Sequence, residues 1–116
     1  MGGLEEAIMN VLWADGGWLA PSEVNARLDS KHELAYTTVT TVMSRLYEKD
    51  RLERRKDGRA FIYHPTASRA EWVATQMDQF LESGGDRTST LTHFLERLDD
   101  ADRTQLRRML LGRKKQ

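Results

Sequence analysis

The chain of 116 residues contains no cysteine, which excludes a disulfide framework and thiolate metal sites and is compatible with a reducing compartment. It contains two prolines, Pro21 and Pro65. No apolar run approaches the ~20 residues a membrane helix needs, and the N-terminus lacks the basic and apolar regions of a signal peptide. These absences predict a cytoplasmic protein with no membrane insertion. Net charge is missing as well, because 18 basic residues balance 18 acidic ones, an unusual balance for a protein whose whole surface binds nucleic acid. Glycine-rich phosphate loops, nucleophile elbows and zinc-ligand spacings are all absent, so neither enzyme activity nor a cofactor is expected. His32, His64 and His93 fall on different predicted elements and form no shared metal site. Asp99, Asp100 and Asp102 read as acids favoured by a helix N-terminus rather than as a catalytic cluster.

What is present is periodicity. Leu4, Ile8, Val11 and Leu12 repeat with helical spacing up to Asp15-Gly16-Gly17. Trp18 to Ala20 is too short for more than a single edge strand, and Pro21 suits the first turn of a short second helix with Val24 and Leu28 inward. The next stretch sets two signals against each other. Thr37 to Val42 is wholly β-branched, at a cost of about 3 to 4 kcal/mol of helix propensity. Yet Val39, Val42, Met43 and Leu46 sit at i, i+3, i+4 and i+7, and burying large side chains at roughly 1.5 to 3 kcal/mol each offsets that deficit. A helix stable only when packed is predicted. Beyond it, Asp57-Gly58 predicts a two-residue hairpin turn joining strands Leu52 to Lys56 and Arg59 to Tyr63. Helix, short strand, helix, helix and hairpin make a mainly α fold with a small β-hairpin, the winged helix-turn-helix arrangement.

With valines inward, the third helix turns Thr37, Thr40, Thr41 and Ser44 outward, with Thr38 and Arg45 at the edges of that face. That small polar face suits a major groove, where hydroxyls bond base edges or phosphates and threonine methyls touch thymine methyls. Seven cations, Arg45, Lys49, Arg51, Arg54, Arg55, Lys56 and Arg59, stand here against four carboxylates, Glu48, Asp50, Glu53 and Asp57. A wing carrying Arg55, Lys56 and Arg59 can lie along a phosphate backbone, gaining by counterion release.

The remainder carries three short helical stripes: Val73, Met77, Phe80 and Leu81; Leu91, Phe94, Leu95 and Leu98; then Leu106, Met109 and Leu110. So few residues cannot enclose a core of their own, so this region is expected to pack against its copy in a second chain. The predicted division is a winged-helix DNA-binding domain over 1–66 and a helical dimerisation domain over 67–116.

The stretch from Tyr36 to Pro65, preceded by the Leu4 to Trp13 helix, resembles the penicillinase-repressor family of BlaI and MecI type, and the similarity covers nearly the whole chain. The combination of the threonine-rich helix closing in Arg45-Leu46-Tyr47 with the following wing carries it. The resemblance implies a homodimeric repressor reading an inverted-repeat operator in double-stranded DNA. It places Thr37, Thr38 and Thr40 at base edges and Arg45 on the backbone. Relatives are inactivated when a membrane-bound sensor protease, responding to a β-lactam, cuts an Asn-Phe bond; the aligned pair here is His93-Phe94, with His in place of Asn. Antibiotic-resistance regulation is the context this implies. Two other readings stand beside it. One is a winged-helix protein-interaction module, although such a surface would more often expose aromatic or aliphatic anchors where this chain has threonines. The other is a small-molecule-sensing regulator with Trp13, Trp18 and Trp72 lining a pocket.

Overall fold

The computed structural model describes residues 3–28 and 36–114. It contains α1 (Leu4–Asp15), α2 (Pro21–Arg27), α3 (Tyr36–Glu48), β1 (Leu52–Asp57), β2 (Ala60–Pro65), α4 (Arg69–Ser83), α5 (Arg87–Arg97) and α6 (Asp100–Lys114). The chain divides into two compact units, one up to Trp72 and one from Val73.

In the first unit, α1 ends where Gly16 takes φ 81° and its N–H reaches Leu12 O, the left-handed cap that favours glycine. Pro21 opens α2, whose first turn is held by the Glu23 carboxylate accepting the Ala20 N–H at 2.8 Å. Helix α3 runs through the β-branched stretch. Val39, Met43 and Leu46 are fully buried and Val42 is half-buried, so the predicted stripe faces the core. Three large side chains removed from water contribute on the order of 5 to 9 kcal/mol, which exceeds the propensity deficit.

The same core takes Ile8, Met9 and Leu12 from α1, Val24 from α2, and Leu19, Leu52 and Tyr63 from the sheet. Leu19 joins by exchanging both backbone hydrogen bonds with Tyr63, at 3.0 and 2.8 Å, so the short Trp18 to Ala20 segment lies along the edge of the hairpin. Helix α3 closes in a Schellman motif: Arg51 N–H reaches Leu46 O, Asp50 N–H reaches Tyr47 O, and Asp50 takes φ 64°.

The hairpin differs from expectation in register. Asp57 pairs with Ala60, so the two turn residues are Gly58-Arg59. Positive φ occurs at Gly58 and not at Arg59, the pattern of a type II′ rather than a type I′ turn. Leu52 consequently faces Pro65 instead of Tyr63. A slide of two residues preserves which side chains share a face. Leu52, Arg54 and Lys56 lie on the core side with Pro65, Tyr63 and Phe61; Glu53, Arg55 and Asp57 lie on the open side with His64, Ile62 and Ala60.

The second unit is helical and buries none of its described residues. Asp86 caps α5 by accepting the Ser89 N–H, and Asp99 caps α6 by accepting the Asp102 N–H at 2.8 Å. Thus the Asp99 to Asp102 acids serve a helix start, as their position suggested. No described helix is long and apolar enough to cross a membrane.

Candidate nucleic-acid interface

Two elements of the first unit form the candidate interface: the outward face of α3 and the hairpin that follows it. On α3, Thr37, Thr38, Thr41 and Arg45 are exposed, while Thr40 and Ser44 are half-buried, so the edge of the face falls at Thr40 and Ser44 rather than at Thr38 and Arg45 as the spacing suggested. The Thr40 hydroxyl donates to Tyr36 O and the Thr41 hydroxyl to Thr37 O, both at 2.9 Å. Their protons are therefore engaged by the helix's own carbonyls. What these two residues offer outward is a methyl group and an oxygen able to accept, which suits contact with a thymine methyl or a base amino group. Sequence reasoning had given them donors as well; the backbone four residues earlier competes for that proton.

The seven cations of the basic segment separate into distinct roles. Lys49 is paired with Glu5 at 2.8 Å. Arg51 lies with its guanidinium 3.6 Å from the Trp72 ring and 3.8 Å from Glu6, its side chain only 10% exposed. Burial pulls the Arg51 pKa below its ordinary value, opposed by Glu6 and Glu5. Around it, Trp13 Nε1 donates to Ala67 O at 2.9 Å, and Arg69 reaches Asn10. Lys49 and Arg51 are thus engaged within the unit, whereas Arg45, Arg54, Arg55, Lys56 and Arg59 have no carboxylate within pairing distance among the described residues.

Sheet parity sorts the wing. Lys56 lies on the α3 side, with Nζ 5.1 Å from the Phe61 ring. Arg59 is at the exposed turn. Arg55, by contrast, is on the open side, 4.4 Å from the Trp18 ring, which stacks on His64 at 5.2 Å, and His64 in turn faces Glu53 at 3.4 Å. Arg54, which the sequence reading did not single out, sits on the α3 side between two rings, 4.0 Å from Tyr47 and 4.1 Å from Phe61. Its alternation with Leu52 was the available signal.

Other expected constellations separate. Trp13 and Trp72 both flank Arg51, whereas Trp18 stands with His64 and Arg55, so the three tryptophans do not line one pocket. His64 is on β2, His93 is on α5 beside Glu96 at 3.6 Å, and His32 falls outside the described residues. In the second unit, the apolar stripes are uncovered. Val73, Met77, Phe80, Leu91, Phe94, Leu95, Met109 and Leu110 are exposed, Phe80 to 75%, with Leu81, Leu98 and Leu106 half-buried. Leu111, exposed as well, extends the α6 stripe beyond the residues expected from sequence. Met77, Phe80, Leu81, Leu91 and Phe94 wall an open apolar cavity of about 330 Å³ between α4 and α5.

Three packed helices, an edge strand bridged to a two-stranded hairpin, and a basic hairpin beside a polar third helix define a winged helix-turn-helix protein. A profile of the family described as "Penicillinase repressor" matches residues 1–111. The chain is 38% identical over 113 residues, 95% of its length and 82% of the relative's, to the "Transcriptional regulator BlaI" of Mycobacterium tuberculosis. It is 28% identical over 94 residues, 79% of its length and 73% of the relative's, to the "Penicillinase repressor" of Bacillus licheniformis. Among solved structures, one described as "CopR Repressor Structure" superposes with a TM-score of 0.48 at 31% identity, over 59% of this chain and 97% of that one. The chain belongs to the penicillinase-repressor family, whose named members are transcriptional regulators and not enzymes.

Proposed function

We propose that this protein is a transcriptional repressor that binds double-stranded operator DNA as a homodimer, with α3 in the major groove and the hairpin along the backbone. The observation that carries this reading is the outward threonine face of α3, kept on a helix against propensity, beside wing cations with no carboxylate within pairing distance among the described residues. Base contacts then come from Thr37, Thr38, Thr40, Thr41 and Ser44, and backbone contacts from Arg45, Lys56 and Arg59. Arg55, on the other face of the hairpin, reaches a phosphate only where the duplex curves around the wing. The division expected from sequence at 66 and 67 moves to the boundary of the two compact units: residues up to Trp72 serve as the DNA-binding domain and those from Val73 as the dimerisation domain.

The homodimer is supported by a second unit that buries nothing alone while leaving Phe80, Leu91, Phe94 and Leu110 in water. Covering each large apolar side chain contributes roughly 1.5 to 3 kcal/mol, so a second copy meets the need. Two copies related by a two-fold axis read an inverted repeat. Inactivation by a membrane-bound sensor protease at His93-Phe94 fits the placement of that bond within α5, a helix of 11 residues with no buried residue of its own. Cutting there requires α5 to unwind locally and removes Phe94 and all that follows from the dimer surface. The cytoplasm is the compartment this function requires.

Fluorescence anisotropy with duplex from upstream of the protein's own gene tests the proposal. Saturable binding that exceeds binding to a scrambled duplex is expected, together with its loss in Thr38→Glu at unchanged dimerisation. Equal affinity of Thr38→Glu for the operator would remove α3 from the reading role.

A further inference from the structure

The hairpin holds one cation, Arg54, away from the wing tip and between two aromatic rings. Arg54 and its partner Tyr63 occupy the core-facing side of the sheet, and Tyr63 is buried while Arg54 remains partly open. Being one step further from the core than Leu52, the Arg54 side chain emerges where the hairpin leaves the helices, against the last turn of α3. There its guanidinium carbon lies 4.0 Å from the Tyr47 ring and 4.1 Å from the Phe61 ring. Two aromatic rings at that distance satisfy the cation through their faces and fix its position. They do not use its N–H groups, which lie at the edge of the guanidinium plane. Among the described residues no hydrogen bond or ion pair engages those N–H groups, unlike those of Arg27, which donate to the Asp15 carboxylate at 2.6 Å.

Helical geometry says which part of the reading face this cation adjoins. Thr40, Ser44 and Tyr47 are spaced i, i+4 and i+7 and form one stripe along α3. Arg54 therefore continues the edge of the threonine face that carries Thr40 and Ser44, on the same side of the hairpin as Lys56. A groove-bound helix is flanked along its length by sugar-phosphate backbones, so a cation continuing one of its edges meets phosphate rather than base.

We propose that Arg54 is a phosphate-binding residue, held rigid by Tyr47 and Phe61, which fixes how α3 and the wing straddle one DNA strand. The assignment rests on the duplex-binding reading above. Arg54 touches the ligand; Tyr47 and Phe61 are positioning residues that act through it. An arginine already immobilised loses little rotamer freedom on binding, which is the advantage of stacking it beforehand.

The test is the salt dependence of duplex binding, measured on the full chain by anisotropy with the operator and with an unrelated duplex. Each phosphate contact contributes about 0.9 to the slope of log K against log salt, so at 0.1 M salt its loss lowers affinity about eightfold. Arg54→Gln and Arg54→Met, run in parallel so that misfolding of one leaves the other, are expected to lower the slope by about 0.9 per half-site on both duplexes. Tyr47→Leu leaves the charge and is expected to weaken binding with an unchanged slope. Folded Arg54 variants with wild-type slope and affinity would overturn the proposal, as would wild-type affinity in Tyr47→Leu. A wild-type protein with no salt-dependent duplex binding at all would instead overturn the duplex-binding reading itself.

Discussion

If the threonines of α3 are kept for contact with DNA, replacing the exposed ones should stabilise the protein and weaken it as a binder at the same time. Thr37 and Thr41 lie four residues apart on the exposed face, and the one hydrogen bond between them, Thr41 hydroxyl to Thr37 O at 2.9 Å, is itself exposed. Water replaces that bond at little cost, and such back-bonding slightly disfavours the helix in any case. Alanine at each position recovers up to about 0.6 kcal/mol of helix propensity, somewhat less at Thr37 near the helix start, so the pair should gain about 1 kcal/mol. For a domain of this size that raises the melting temperature by roughly 4 to 8 °C. Circular dichroism melts at one fixed protein concentration read this, because a dimer's midpoint depends on concentration. In the same protein, operator affinity should fall by about tenfold, as for one lost base contact, while affinity for an unrelated duplex stays put. A melting temperature lowered by several degrees would mean that the threonines are structural. Unchanged operator affinity would mean that they do not read DNA.

Other consequences are as direct. Phe94→Asp places a carboxylate among Met77, Phe80 and Leu91, and analytical ultracentrifugation should find monomer in place of the dimer proposed for the wild type, with DNA affinity falling as a result; an unchanged sedimentation profile would contradict the dimer surface. Asp50→Gly relieves a non-glycine φ of 64° at the end of α3 and should stabilise by up to about 1 kcal/mol in urea unfolding, whereas a loss would show that the Asp50 side chain matters. Two carboxylates among the described residues have pKa values below their ordinary range: Asp15, held down by Arg27 and by the Gly17 N–H, and Glu71, held down by the backbone N–H and hydroxyl of Ser68. A depressed folded pKa means a contribution that is complete above the unfolded value near pH 4 and is lost as pH falls through the folded values. The melting temperature should therefore hold from pH 7 to about 5 and decline below 4, less steeply in Asp15→Asn.

Much of this was legible in the sequence, and the reasons can be named. The stripe Val39, Val42, Met43 and Leu46 outweighed local β preference because burial energy exceeds propensity, and the core has the helix accordingly. The Asp57-Gly58 signal located the hairpin but not its turn: glycine accepts positive φ in either central position, and Gly58 occupies the first of them. The division of labour among the cations was not legible at all. Charge counting treats Lys49, Arg51 and Arg54 alike, while the fold brings Glu5 to Lys49 across 44 residues, buries Arg51 against Trp72, and sets Arg54 between two rings. Likewise, the hydroxyl protons of Thr40 and Thr41 go to carbonyls one turn back, a choice that only the folded helix fixes.

The proposal that threonine methyls read thymine methyls can be tested atom against atom. In the bound operator, each thymine is replaced in turn by deoxyuridine, which lacks the 5-methyl group, and affinity is measured for the wild type and for Thr→Ser variants at 37, 38, 40 and 41. At least one position is expected where deoxyuridine weakens the wild type several-fold but leaves one serine variant unaffected. Operators that lose nothing with any deoxyuridine, or lose as much with every serine variant, would contradict it.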